Sequence, residues 1–236
     1  MPNWVFNGLT IEGSPDSVNK LVAQMNKPFT SPVSHDVGDL AFNIKEIKYS
    51  NPVFAFHNIY SYVDAGITKL EYIQQPPKTA DFSDWMKHET NDWYNFNNRE
   101  WGVKWDVGVS EDEKYPETYM EGPVENGENL VVYYNFNTAW GTPYPAIKKL
   151  SAQYPNLLFT LSFEEETGWG GETEFLRGEV ISESDYGWKC KDCDHTEEET
   201  PYCEDCEFDM CPSCGWGEPT DEDRANCQTH GVKSAV

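Results

Sequence analysis

The residues with the most evident chemistry are seven cysteines, all between Cys190 and Cys227, while residues 1 to 189 contain none. With one histidine they make four pairs at a single spacing: Cys190 with Cys193, Cys203 with Cys206, Cys211 with Cys214, and Cys227 with His230. Two intervening residues let a tight turn aim both side chains at one ion, and four such ligands complete a tetrahedral zinc site at about 2.0–2.3 Å. Eight ligands therefore predict two zinc ions, each site closed and without an open position for catalysis. An odd cysteine count and an N-terminus without a basic start or apolar run argue against a disulfide framework. Only Glu207 to Met210 separate the second and third pairs. That short link carries the chain from one site to another more easily than it folds back onto one. The reading is a cross-brace, with Cys190, Cys193, Cys211 and Cys214 on one ion and Cys203, Cys206, Cys227 and His230 on the other. A sequential arrangement, pairs one and two on one metal, stays open.

Other constellations are weaker. His195 and Glu197 before Cys203 imitate the pieces of a zinc deaminase, but the spacing is wrong and each cysteine already has a use. His35, His57 and His88 are scattered without ligand spacing. No phosphate loop, nucleotide fingerprint, serine elbow or paired-histidine metalloprotease motif occurs. Strand alternation splits Glu164, Glu165 and Glu166 between two faces, so they do not read as an acid–base pair. Trp101, Lys104 and Trp105, with Trp140 further along, form a candidate ligand patch: indoles beside a lysine suit a planar or anionic ligand. The competing reading makes Trp101 and Trp105 core aromatics, Lys104 a surface charge, and Thr138 to Gly141 a corner between a strand and a helix.

The formal charge is −24, from 41 acidic and 17 basic residues. Residues 183 to 236 hold 15 Asp/Glu against 4 Lys/Arg, a net of −11. Such a surface repels phosphate backbones and anionic membranes, which argues against direct nucleic-acid binding and favours basic partners. The absence of a long apolar run and of a secretory start predicts a cytoplasmic protein with no membrane span.

The elements that must position these residues read as strands mixed with helices, an α+β chain. Trp4 to Ile11 favours a strand, and Ser14-Pro15 suits a helix start. Val18, Leu21, Val22 and Met25 then share one helical face. Leu130 to Phe136 alternates as a strand, Thr142-Pro143 starts a second helix bearing Ile147 and Leu150, and Leu157 to Phe163 alternates again. Gly168, Gly170 and Gly171 turn the chain into a hairpin strand over Thr173 to Ile181. This order is that of a ferredoxin-like split βαβ sheet. Its remaining strand is expected near Trp105 to Val109. Residues 28–100 form an insertion, with an aromatic helix over Asp81 to Asn97 carrying Phe82, Trp85, Met86, Trp93 and Phe96. The domains are thus 1–182 and an acidic metal module at 183–236.

Dispersed, ordered motifs support a resemblance. Met1-Pro2-Asn3-Trp4 with Asn7, Leu9, Ile11 and Gly13, then Trp101 to Asp106, then Phe136 to Trp140 with Pro143 and Pro145, and finally Leu150-Ser151, Tyr154-Pro155 and the strand ending at Phe163, resemble the YubB-type ferredoxin-like family of bacteriophages and plasmids. The resemblance implies that fold and a phage or plasmid setting, with the host cytoplasm as compartment. Residues 44–92 do not follow the family pattern. The cysteine segment resembles a ZZ-type zinc finger through Tyr202 to Cys206 and Glu207-Phe208-Asp209-Met210-Cys211, with a link one residue shorter and Cys-x-x-His in place of a final histidine pair. What it implies is recognition of protein N-termini or tails by acidic side chains, which map to Glu207 and Asp209.

Three functions compete on these grounds. The first is a non-enzymatic phage accessory protein that binds a host protein or cationic peptide through its acidic, zinc-stapled surface. The second is an acidic DNA mimic that inhibits a DNA-binding host protein. The third is a small-ligand binder or hydrolase with a pocket near Trp101, Lys104 and Trp140.

Overall fold

The computed structural model describes residues 3–34, 44–73, 91–166, 168–186, 202–203 and 208–209. It divides into two compact units, residues 1–163 with 172–184, and residues 164–171 with 185–236. In the larger unit β1 (Trp4–Gly13) leads into α1 (Pro15–Met25), as the alternating and then helical spacing predicts. Pro15 starts the helix, although the Ser14 hydroxyl bonds to the Ser17 hydroxyl at 3.0 Å and caps no backbone N–H. There follow a hairpin of β2 (Phe29–Ser34) and β3 (Ile44–Tyr49), a 3-10 turn (Phe56–Asn58), α2 (Lys69–Ile73) and α3 (Trp93–Glu100). Then come β4 (Tyr119–Asn126), β5 (Asn129–Ala139), α4 (Tyr144–Gln153), β6 (Leu158–Glu165), β7 (Gly170–Leu176) and β8 (Glu179–Tyr186). In the smaller unit β9 (Tyr202–Cys203) pairs with β10 (Phe208–Asp209).

The main sheet runs β4-β5-β1-β6-β7-β8. Its first four strands, with α1 and α4 as crossovers, have the ferredoxin-like order, and β7-β8 extend one side. Side chains of β1 alternate between a buried set, Val5, Asn7, Leu9 and Ile11, and a more open set, Phe6, Gly8, Thr10 and Glu12. The buried set joins Val132, Tyr134 and Phe136 of β5, Phe159 and Leu161 of β6, Val18, Leu21 and Met25 of α1, and Ile147 and Leu150 of α4 in one core.

The strand expected at Trp105 to Val109 is instead a loop, and β4 at Tyr119–Asn126 takes its place in the sheet. The Asp106 carboxylate accepts the N–H groups of Val107 and Gly108, so that backbone bonds locally and not to a ladder. The true strand lacks apolar alternation because it is an exposed edge, with a register shift between Glu121 and Val124 around Gly122-Pro123. The insertion accordingly runs from Asn26 to Thr118, beyond the expected 28–100. Of the expected helix over Asp81 to Asn97, Trp93 and Phe96 lie on α3, whose cap is Asp92; its carboxylate accepts from Tyr94 and Asn95 N–H at 3.0 and 3.1 Å. Phe82, Trp85 and Met86 lie outside the described residues. The 182/183 boundary falls inside β8.

The single strand expected over Thr173 to Ile181 is two strands, β7 and β8, joined by Arg177 and Gly178. Both joining residues have positive φ, 58° and 77°, as the favoured two-residue hairpin turn requires. Arginine in that position gives no turn signal in the sequence. Gly178 also lies against α4: a Cβ there would meet the Ala152 Cβ at 2.8 Å, while its N–H donates to the Ser151 hydroxyl at 2.7 Å. Gly178→Ala is therefore expected to lower stability by about 1–3 kcal/mol, combining backbone strain with overpacking. Urea denaturation of the two proteins measures this, and an unchanged midpoint contradicts it.

Candidate functional site

Among the described residues, aromatic and charged side chains gather where the insertion meets the sheet. Phe54 stacks on Phe136 at 5.1 Å and 6° and lies 4.9 Å from Tyr134. Phe56 meets Phe136 edge-on at 5.8 Å and approaches Trp101 at the same separation. Trp101 packs on Phe96, Phe96 on Tyr72, and Tyr72 stacks on Tyr62 at 4.4 Å. This series of rings joins the insertion to the sheet core. Asp106 fixes it from the side: its carboxylate accepts the N–H groups of Phe56 at 2.8 Å, His57 at 3.0 Å, Val107 at 2.7 Å and Gly108 at 3.3 Å. Burial raises its pKa above the ordinary aspartate value, and the four donors pull against that rise.

The patch expected from the sequence separates into a core residue and a clamp. Trp101 is buried, its indole N–H donating to the Tyr60 carbonyl at 2.8 Å, so it lines no open site. Lys104, in contrast, lays its Nζ 4.4 Å from the ring centre of Trp105 and 4.4 Å from that of Trp140. Each contact is worth about 0.5–1 kcal/mol where exposed and about 2 where desolvated. The Lys104 carbonyl accepts from the Asn97 side-chain amide at 2.9 Å, and the Tyr72 hydroxyl donates to the Asn97 Oδ1 at 3.0 Å, which seats the loop on α3. Gly102, at φ 83°, has Pro145 Cδ only 2.5 Å from where a Cβ would be.

Trp140 reaches the clamp from the corner where β5 gives way to α4. Its φ is 71°, a conformation that costs a bulky residue about 1–3 kcal/mol. The corner is held by Trp140 N–H donating to the Asn3 carbonyl at 2.9 Å and by the Thr138 hydroxyl donating to the Gly141 carbonyl at 2.6 Å. The buried Asn7 amide donates to that hydroxyl at 2.8 Å. The corner expected at Thr138 to Gly141 is thus present, and it also carries half of the clamp. Of the residues expected to line a ligand pocket, Lys104 and Trp140 thus contact each other directly.

A second cluster, which the sequence reading did not single out, surrounds His57. Its ring stacks on Phe29 at 4.0 Å and 6°, and Phe29 in turn stacks on Tyr49 at 4.4 Å. Burial lowers the His57 pKa to about 4, with Asp64 pulling upward and Lys27 pushing down. Burial also pushes Asp64 up, but the Ser61 hydroxyl and N–H, with His57 and Lys27, outweigh it and hold that carboxyl below its ordinary value. His57 is thus neutral at pH 7. Its only sequence signal was its place beside two phenylalanines, Phe54 and Phe56.

Of the expected metal ligands, Cys203 lies in β9, paired with Phe208, and of the two expected peptide contacts, Asp209 lies in β10, paired with Tyr202. Cys190, Cys193, Cys206, Cys211, Cys214, Cys227, His230 and Glu207 lie outside the described residues. No helix among the described residues is long and apolar enough to cross a membrane.

Comparison with known proteins bears on the fold. Residues 124–210 match the family model described as the ferredoxin-like domain in Api92-like protein, from within β4 to just past β10. The match takes in Cys190, Cys193, Cys203 and Cys206. The crystal structure of the protein api92 from Yersinia pseudotuberculosis aligns with 80% of this chain and 100% of that one, at 12% identity and a TM-score of 0.40. No curated protein matches. The family match supports the ferredoxin-like reading of the sequence.

The depressed His57 pKa has a measurable consequence. Between about pH 6.5 and pH 4 the unfolded chain binds more protons than the folded one, so stability contributed by neutral His57 is present above that window and is lost as pH falls through it. Replacing it by the non-titrating glutamine is expected to flatten the fall in stability between pH 7 and 4 by up to about 3 kcal/mol. Denaturant titrations at several pH values measure the slope, and identical slopes contradict the assignment.

Proposed function

We propose that this chain is a non-enzymatic accessory protein of a phage or plasmid that binds a basic peptide or protein tail of the host through an acidic C-terminal segment folded around two zinc ions. One observation carries the reading beyond spacing alone. Cys203 pairs with Phe208, and Tyr202 with Asp209, across the antiparallel strands β9 and β10, which supports an ordered backbone at one expected ligand and one expected peptide contact. The donor set also fits zinc, with seven thiols and one imidazole in pairs two residues apart.

In this reading Cys190, Cys193, Cys211 and Cys214 hold one ion, and Cys203, Cys206, Cys227 and His230 the other. The zinc supplies folding free energy to a segment too small for a core of its own. Seven thiolates on two divalent ions leave the ligand cluster at −3, adding to the −11 of residues 183 to 236 and disfavouring acidic ligands. Glu207 and Asp209, between the second and third pairs, then contact the bound cation.

Two measurements test this. Elemental analysis of protein purified without added metal is expected to give two zinc per chain; one or fewer, with thiols titratable in the native state, overturns the metal assignment. A peptide array probed with the full chain is expected to enrich basic or free-amine sequences, with binding that weakens as the Debye length shrinks from about 10 Å at 0.1 M salt to about 3 Å at 1 M. The Glu207→Ala, Asp209→Ala double variant is expected to keep its zinc and lose this enrichment. Enrichment that survives in the double variant, or no enrichment at all, ends the peptide-binding reading.

A further inference from the structure

We propose that Trp105 and Trp140 form a cage for methylated ammonium groups, and that Lys104 is its built-in occupant, displaced when a ligand cation enters. The cage lies within the larger unit and uses no residue of the zinc segment proposed above. The first observation is what Lys104 does not do. The chain has 41 acidic residues, and Lys48, Lys69, Lys148 and Lys149 each pair with a glutamate. Among the described residues Lys104 makes no ion pair, and its ammonium rests instead on two indole faces at equal distance. Two parallel recognitions of one ammonium are what an aromatic cage provides.

The second observation is accessibility. Trp105 is 40% exposed and Trp140 54% exposed, so both indoles that hold Lys104 lie at the surface. The third is backbone strain. Trp140 occupies a left-handed conformation unfavourable for a bulky side chain, and Asn3 and Thr138 hold that corner in place. Strain of this kind persists where the surroundings over-determine it, and it clusters at ligand clamps. Here it sets the second indole against the first.

The ligand class follows from the walls. Indole faces attract a cation through the ring quadrupole and offer it no hydrogen-bond acceptor. Methylation removes donors from an ammonium and spreads its charge, so a quaternary ammonium loses less than Lys104 does in leaving water for the cage. Because Lys104 is tethered beside the rings, it occupies them most of the time, and the affinity of a free ligand falls by that occupied fraction. Removing the lysine opens the cage.

The test uses the full chain and tetramethylammonium, read by the indole N–H resonances of Trp105 and Trp140. Lys104→Ala is expected to bind at least tenfold more tightly than the wild type, and Lys104→Arg no more tightly, since arginine also stacks on indole. Adding Trp105→Leu or Trp140→Leu to Lys104→Ala is expected to abolish the gain, with thermal melting confirming that each variant is folded. The two indole variants are independent, so either one suffices should the other unfold. Peptides bearing trimethyllysine or plain lysine separate the sources: tighter binding of the trimethyllysine peptide than of tetramethylammonium identifies a protein tail, and equal binding identifies a free quaternary amine. If Lys104→Ala binds tetramethylammonium no more tightly than the wild type, or if binding survives loss of either indole, the cage is overturned and the contacts serve only to fasten the loop. Loss of zinc or of the peptide-array signal in the Glu207, Asp209 variant leaves this result unaffected, so the two proposals fail separately.

Discussion

The arrangement depends on one half-buried carboxylate. Asp106 gathers four backbone N–H groups from two segments about fifty residues apart in sequence, those at Phe56 and His57 and those at Val107 and Gly108. A carboxyl drawn inward is costly unless its oxygens are satisfied, and here the donors supplied are backbone groups that a loop would otherwise leave unpaired. The same bonds decide where Phe54 and Phe56 sit against β5, and how Trp101 to Trp105 leave α3. These bonds join two described parts of the insertion to each other, and Phe54 and Phe56 then fasten them to β5.

Around that anchor the apolar work is done by rings. Phe54 and Phe56 continue the sheet core outward, and Trp101, Phe96, Tyr72 and Tyr62 extend it through the insertion. Aromatic pairs at offset and edge-on angles contribute about 0.5–1.5 kcal/mol each beyond the area they bury. A small αβ sheet can therefore support an insertion with few regular elements of its own. The acidic surface is the counterpart of this core, since among the described residues the carboxylates are mostly outside, with Asp92 at the cap of α3 and Asp106 drawn inward.

How far the sequence revealed this depends on periodicity. Leu9 and Ile11, Val132 to Phe136, and Phe159 with Leu161 alternate because one face of each strand is buried, and Val18, Leu21 and Met25 recur at helical spacing because α1 covers that face. The ferredoxin-like order was legible from these elements alone. β4 was not, because an edge strand exposed over nearly all of Tyr119–Asn126 carries no apolar signal, whereas Trp105 to Val109 does without being a strand. The turn at Arg177-Gly178 was hidden by an arginine in a position usually taken by asparagine or aspartate. At the candidate site, the residue types around Trp101 were legible but their division was not. Nothing in the spacing says that Trp101 turns into the core while Trp105 and Trp140 face each other across Lys104.

The two outer strands of the main sheet have a further bearing. Pro123 in β4 has no N–H to offer a neighbouring strand, and the register shift around it bends the ladder away from flatness. Glu121 and Glu125 on β4, and Glu179, Glu183 and Asp185 on β8, are all exposed. A second copy approaching either edge would bring carboxylates of the same sign into register before any ladder bond could form. Charge on both outer strands and one missing donor are features that discourage sideways growth of the sheet by strand addition.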